Sequence, residues 1–351
     1  MARELFIDER RIADDSDCYV IAEIGNNHGG SLETCLEMIK AAKEAGADAV
    51  KLQKRHNKSL YTKAMYERPY DNDNSYGETY GKHREFLELD IEAYKAIQKK
   101  CQELEITFFA TAFDFKSADE LASIDMPAYK MASGDLRSIP LLKHVAKIGR
   151  PMIISTGGGS FEDVQRAYEA VYPINKEVAI LQCTAGYPPI YEELDLKVIE
   201  TYRESFPNSV IGLSSHDNGI AMALAAYMLG ARIVEKHFTL NRAQKGTDHK
   251  FSLEPIGMRK MIRDLKRARI ALGNGEKKVH ASEEGPIKKM SKSIVAAKDL
   301  KAGQRIGEED LTLKSPGGEG LEPYFFEELL GKTVKSDLSE DTYIRFEDLD
   351  Q

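Results

Sequence analysis

Short apolar runs alternate with amphipathic stretches along most of the chain. The runs are YVIAEIG (19–25), DAVKLQ (48–53), ITFFAT (106–111), AYKMAS (128–133), PMIIST (151–156), VAILQCT (178–184), VIGLSSH (210–216) and RIVEKHF (232–238). They are apolar nearly throughout, which predicts strands buried on both faces, as in a parallel sheet. Between them the apolar positions repeat at helical spacing. Ser31 caps a stretch with Leu32, Leu36 and Ile39 on one face and Gly46 as its stop. Asp90 precedes Ile91, Tyr94, Ile97, Cys101 and Leu104, again on one face. Ser160 opens a third helix, and others are predicted over 220–230 and 257–273. Strand followed by helix, eight times over, predicts an α/β fold: a closed (β/α)8 TIM barrel, with an open doubly wound sheet as the alternative.

Two segments break this rhythm. Residues 55–89 are long, polar and tyrosine-rich (Tyr61, Tyr66, Tyr70, Tyr76, Tyr80) and leave the C-terminal end of the second barrel strand, which predicts a substrate lid. Beyond about residue 282, KDLKAGQRIGEEDL (298–311) recurs 38 residues later as SDLSEDTYIRFEDL (336–349). That duplication marks a small module with turn-rich halves. The predicted organisation is a barrel domain over 1–276, a charged linker over 277–289 containing Gly285–Pro286, and a β-rich module over 290–351.

Composition narrows the function classes. With 351 residues and a formal charge of −8, the chain is a poor partner for nucleic acid, and an anionic substrate would need a locally basic pocket. Cys18, Cys35, Cys101 and Cys183 lie inside apolar runs with no CxxC spacing and read as reduced core residues. No stretch reaches membrane-spanning length, and the N-terminus lacks an apolar leader region. A cytoplasmic protein is expected.

Candidate chemistry lies at the C-terminal ends of the predicted strands, where a barrel keeps its active site. Those positions hold Glu23, Lys51, Gln53, Thr111, Lys130, Ser133, Asp135, Ser155, Ser214, His216, Glu235 and His237. His216 and His237 end adjacent strands, where two neutral imidazoles chelate a divalent ion; the competing reading is that each binds a backbone carbonyl. Lys51 and Lys130, with Ser133, Ser155 and Ser214 nearby, suit a small substrate bearing a phosphate and a carboxylate. Snorkelling rim lysines, or a Schiff-base lysine, are the alternatives. The turn STGGGS (155–160) offers backbone N–H groups to an anion. Glu23 is either a general base or half of a salt bridge to a strand lysine. Glu235 is expected to face the helical layer, His28 to shape a turn, and His249 to be structural. Asp248 is open between a surface turn and the site.

Several strings together resemble the sialic acid synthase family, which includes N-acetylneuraminate and legionaminate synthases. They are IAEIGNNHGG (21–30), AGADAVKLQ (45–53), YKMASGD (129–135), STGG (155–158), QCTAGYP (182–188), IGLSSH (211–216) and EKHFT (235–239). The C-terminal repeat, with SIVAAKDLKAGQ (293–304), resembles that family's antifreeze-like (SAF) module. The resemblance implies metal-dependent condensation of phosphoenolpyruvate with an N-acetylmannosamine-type aldehyde. C3 attacks the aldehyde, water adds at C2, and phosphate leaves with its C–O bond broken.

It also assigns roles. His216 and His237 match the ligands of a divalent metal, Mn²⁺, Mg²⁺ or Co²⁺; Lys51, Lys130, Ser133, Ser155 and Ser214 match the phosphoenolpyruvate site. Glu23 matches the residue that orients or deprotonates water, and Gln53, Thr111, Asp135, Tyr187 and Asp248 match positions around the sugar. The module of one subunit is implied to cover its partner's barrel in a domain-swapped homodimer. Three departures blur the sugar's identity: Asp135 stands where many relatives have glutamate, Ala185 replaces a polar residue, and Ser315 replaces an arginine that contacts the N-acetyl group. A 2,4-diacetamido-6-deoxy hexose and a 6-phosphorylated sugar remain alternative acceptors. A Schiff-base aldolase and a non-catalytic carbohydrate-binding protein are the competing functions.

Overall fold

The structure, a computed structural model, describes residues 3–350. Two compact units divide the chain, the first ending at Gly273 and the second beginning at Asn274. The first unit opens with a hairpin absent from the sequence reading, β1 (Glu4–Ile7) and β2 (Arg10–Ala13). Its turn carries Asp8 at φ 51, and Leu5, Ile7 and Ile12 enter the barrel's apolar core. Thr107 Oγ1 donates to Asp8 at 2.6 Å, so the hairpin packs at the N-terminal ends of the barrel strands, away from their chemistry.

Eight parallel strands follow: β3 (Tyr19–Gly25), β4 (Ala49–Lys54), β5 (Thr107–Ala112), β6 (Tyr129–Met131), β7 (Met152–Ser155), β8 (Val178–Cys183), β9 (Val210–Ser215) and β10 (Ile233–His237). They pair in sequence order, and β10 returns to β3 to close the barrel. Register aligns the polar positions: Glu23 stands beside Lys51 and His237, Thr111 beside Lys130, and Ser214 beside Glu235. The helices between strands begin and end at the signals in the sequence. Ser31, Asp90 and Ser160 each accept from a backbone N–H in the first turn, and Gly46 closes its helix at φ 95. Among the described residues no helix is long and apolar enough to cross a membrane.

Residues 55–89 form an ordered excursion with short helices at Asn57–Leu60, Lys63–Tyr66 and Tyr80–Leu87. Its base is fastened by one carboxylate. Glu88 Oε1 accepts from Lys54 Nζ at 2.8 Å and from the Arg55 backbone N–H at 3.2 Å, tying the departing strand to the returning chain. Tyr70 and Tyr76 pack against His83, and the Tyr76 hydroxyl donates to the Lys245 carbonyl in the loop after β10.

The second unit has its own core, including Ile294, Leu300, Ile306, Leu311, Leu338, Ile344 and Leu349. Strands β11 (Ser293–Ala296) and β12 (Leu311–Lys314) pair antiparallel within it. The repeated halves meet in register: Leu300 and Leu338 exchange both backbone hydrogen bonds, at 2.8 and 2.9 Å. Asp310 and Asp348 close equivalent turns on the N–H groups of Gly307 and Arg345. The stretch read as a linker contains a helix, Ala281–Met290.

Candidate active site

Strand ends and the loops beyond them enclose a cavity of about 670 Å³. Glu23, Lys51, Gln53, Thr111, Lys130, Ser133, Ser155, Tyr187, Ser214, His216, Glu235, His237 and Asp248 all line it. Of the site residues expected from sequence, Asp135 alone does not; its carboxylate accepts from Ser138 Oγ at 3.3 Å beside the cavity. Burial raises the Asp135 carboxyl to about 6. Ser315 and its loop belong to the second unit.

The floor is an alternating charge network. Lys51 Nζ lies 2.7 Å from Glu23 Oε2 and donates to Thr111 Oγ1 at 2.7 Å. Lys130 Nζ donates to Ser155 Oγ at 2.6 Å. Glu235 Oε1 sits 4.0 Å from Lys51 and 3.9 Å from Lys130, and accepts from Ser214 Oγ at 3.1 Å. This corrects the expectation that Glu235 faces the helices. Strand side chains alternate faces, so Glu235 shares the interior with His237, and Lys236 is the residue that points away, to Asp217 at 2.8 Å. Burial pushes the Glu235 carboxyl up, but the two ammonium groups outweigh it and hold the acid ionised. Burial lowers the Lys130 ammonium in turn, with Glu235 acting against it.

Around this floor stand neutral donors. Gly157 N–H donates to Ser133 Oγ at 3.0 Å, and a Cβ on Gly157 would come within 2.9 Å of that oxygen and 3.0 Å of Ala185 Cβ. Only a residue without a Cβ fits this close approach of the turn to Ser133 and Ala185. Gln53 Nε2 donates to Glu23 Oε1 at 2.7 Å, holding the carboxylate toward the centre.

The histidines meet at the edge of the same cavity, with ring centroids 5.3 Å apart. His216 Nδ1 faces the Thr184 carbonyl at 3.1 Å, so this nitrogen carries the proton and Nε2 is left with a free lone pair. Burial, then the neighbouring His237, push the His216 pKa down to about 3, so the ring is neutral. His237 Nδ1 is buried without a hydrogen-bond partner, and Asp248 Oδ2 lies 3.8 Å from it. The Tyr187 ring covers His216 at 4.2 Å. Among the described residues no group of three or more His, Cys, Asp or Glu side chains is placed to hold a metal ion; the two imidazoles would supply at most two ligands, one of them through the unpartnered His237 Nδ1. The two histidines read as structural are so placed: His28 Nδ1 accepts from the Gly30 N–H at 3.1 Å, and His249 Nδ1 bonds Thr239 Oγ1 at 2.8 Å.

Sequence reasoning missed Asn26, Arg55, Arg84, Phe113, Arg137 and Thr247, all of which line the cavity. With the two lysines, the arginines make five cations against the carboxylates of Glu23, Glu235 and Asp248, so a basic pocket does exist in this acidic chain. Of these only Arg84 lies in the segment ERPYDNDNSYGETYGKHREFLE (67–88), whose departure from a strand's C-terminal end marked it as near the site without singling out that arginine.

Comparison with known proteins follows the same outline. The NeuB family signature matches residues 38–277, and the SAF domain signature matches residues 291–350. The N-acetylneuraminate-9-phosphate synthase of Mus musculus is 38% identical, over 95% of this chain and 93% of that protein. An N,N'-diacetyllegionaminic acid synthase of Campylobacter jejuni is 35% identical, over 93% of this chain and 98% of its own length. Among solved structures, the N-acetylneuraminic acid synthetase of Leptospira borgpetersenii in complex with citrate aligns with a TM-score of 0.71 at 30% identity, covering 82% of this chain and 96% of that one.

Proposed function

This chain belongs to the NeuB family of sialic acid (nonulosonate) synthases, transferase-type enzymes, and we propose that it condenses phosphoenolpyruvate with an N-acetylmannosamine-type aldehyde. The observation that carries this reading is one cavity holding the buried lysine pair Lys51 and Lys130 together with the buried histidine pair His216 and His237.

Lys51, Lys130, Ser133, Ser155 and Ser214 hold the phosphate and carboxylate of phosphoenolpyruvate. Gln53, Thr111, Tyr187 and Asp248 border the acceptor, with Asp135 supporting the wall behind. His216 and His237 would hold a divalent cation, Mn²⁺ by preference, which supplies Lewis-acid polarisation of the aldehyde. C3 of the enol attacks the aldehyde carbon. Glu23 takes the proton of the water that adds at C2, and the C2–O bond breaks as phosphate departs. Lys51, at 2.7 Å from Glu23, holds that carboxylate in place. The working assembly in this reading is a homodimer in which each C-terminal module covers the partner's cavity and excludes water.

Phosphate release from phosphoenolpyruvate with Mn²⁺ and a panel of hexose aldehydes, run in ¹⁸O-water, tests the reading. Label is expected in the C2 oxygen of the keto acid and none in phosphate. Label in phosphate, or borohydride trapping of pyruvate on a lysine without metal, replaces this chemistry with another.

A further inference from the structure

Two of the cavity's five cations have no counter-ion. Lys51 has Glu23 at 2.7 Å, Lys130 has Glu235 at 3.9 Å, and Arg137 has Asp163 at 2.7 Å. Among the described residues, Arg55 and Arg84 have no carboxylate within 4.0 Å. Arg55 is only 7% exposed. One of its terminal nitrogens donates to Gln53 Oε1 at 2.6 Å and its plane lies 3.8 Å over Phe113, while the other terminal nitrogen is buried with no partner. Arg84 spends two donors on a single acceptor, the Tyr80 hydroxyl, at 3.1 and 3.0 Å. Burial, and then the Arg84 charge, act against the Arg55 cation, while Glu88 favours it and Asp248 favours Arg84 from beyond ion-pair range.

An unpaired, desolvated cation such as Arg55 is costly, and a second cation without a carboxylate in the same cavity adds to that cost. The chain nevertheless holds them there. Glu88, four residues beyond Arg84, is committed to Lys54 and to the Arg55 backbone N–H rather than to a guanidinium. That clamp brings Arg55, at the end of β4, and Arg84, on the helix Tyr80–Leu87, to one wall of the cavity.

We propose that Arg55 and Arg84 form a second anion site, which binds a phosphate carried by the sugar acceptor; the proposal rests on the condensation reading above and names its acceptor class as a phosphorylated N-acyl hexose aldehyde. Planar forks suit a phosphate dianion, which would neutralise both groups at once. The anionic groups of phosphoenolpyruvate already have the Lys51–Lys130 floor. Gln53 connects the two regions, donating to Glu23 through Nε2 and accepting from Arg55 through Oε1, so the second anion lies one side chain away from the reacting centre.

The test compares 6-phosphorylated with unphosphorylated N-acetylmannosamine on the wild-type enzyme, Arg84→Gln, Arg84→Lys and Arg55→Lys. Wild type is expected to favour the phosphorylated acceptor in kcat/KM by roughly 100-fold, and Arg84→Gln to shrink that ratio at least tenfold. Arg84→Lys, which keeps charge but loses the fork, falls between. Calorimetry with a hexitol 6-phosphate, which has no aldehyde to react, gives a readout free of turnover: affinity falls about tenfold or more in Arg84→Gln. Calorimetry with phosphoenolpyruvate shows that each variant is folded. Equal or better use of the unphosphorylated sugar by wild type overturns the proposal and leaves the condensation standing. So does a loss of phosphoenolpyruvate affinity in the arginine variants that matches the loss for hexitol phosphate. Absence of phosphate release with either acceptor overturns the condensation reading itself.

Discussion

Lys51 and Lys130 share one counter-ion: Glu235 Oε1 lies 4.0 Å from the first ammonium and 3.9 Å from the second. Glu23 compensates Lys51 separately, at 2.7 Å. The floor is thereby balanced before any substrate arrives, and an incoming anion meets donors already aimed. Lys51→Ala and Lys130→Ala should each weaken phosphoenolpyruvate binding by about 2–4 kcal/mol, measured by calorimetry. Because both lysines lean on Glu235, the double variant should lose less than the sum. Unchanged affinity in both single variants would move the substrate anion elsewhere.

His216→Ala and His237→Ala should each remove Mn²⁺ binding in a metal titration and abolish turnover. Chelated wild-type enzyme should regain activity when Mn²⁺ is restored. Full activity in chelator is the contrary result.

Acid should loosen the barrel before it reaches the floor carboxylates. Burial holds His28 at about 4, below the usual 6.5. Between those values the unfolded chain binds a proton that the folded chain refuses, so stability falls as pH drops from 6.5 toward 4, by something on the order of 2 kcal/mol. Burial, then Arg84 and Lys245, lower His83 to about 4 as well, adding to the same slope. Urea melts at pH 7.5 and 5 should show the loss, and His28→Gln should flatten it. A wild-type midpoint that does not move with pH counts against this account.

Gly30 sits at φ 80, and a Cβ there would run into the Phe86 carbonyl oxygen. Gly30→Ala should therefore destabilise by about 1–3 kcal/mol and shift the helix Tyr80–Leu87 that carries Arg84. Acceptor KM should rise while phosphoenolpyruvate affinity holds. An equal loss for both substrates would mean that the damage spreads through the barrel.

The two units have separate apolar cores, so removing the chain after Gly273 should leave a folded barrel. If the module covers the partner's cavity, that fragment still binds phosphoenolpyruvate but condenses poorly. Sedimentation should show the full chain as a dimer. A monomer, or undiminished condensation by the fragment, rules out the capping arrangement. Ser315→Arg should raise preference for an N-acetylated acceptor by about 1–3 kcal/mol where the guanidinium finds a buried oxygen.

All eight barrel strands were legible because strands buried on both faces must be apolar throughout, and polar residues at their ends then stand out. Glu235 was misplaced although the same logic contains the answer: two residues before His237 on a strand is the same face. The hairpin Glu4–Ile7 and Arg10–Ala13 was hidden because four-residue strands barely establish a period. Arg55 and Arg84 escaped for a different reason. What distinguishes them is the lack of a carboxylate nearby, and a missing neighbour across the fold leaves no trace in local sequence.

The clamp at Glu88 separates two parts that can change independently. The strands carry the reacting groups, whereas the segment from Arg55 to Leu87 is tied to them by an ionic clamp at its base and by a few hydrogen bonds such as that of Tyr76 to the loop after β10. Lengthening such a segment costs only about 0.6 kcal/mol per doubling. A lineage can therefore exchange this cassette to follow a new sugar while the chemistry beneath stays inherited.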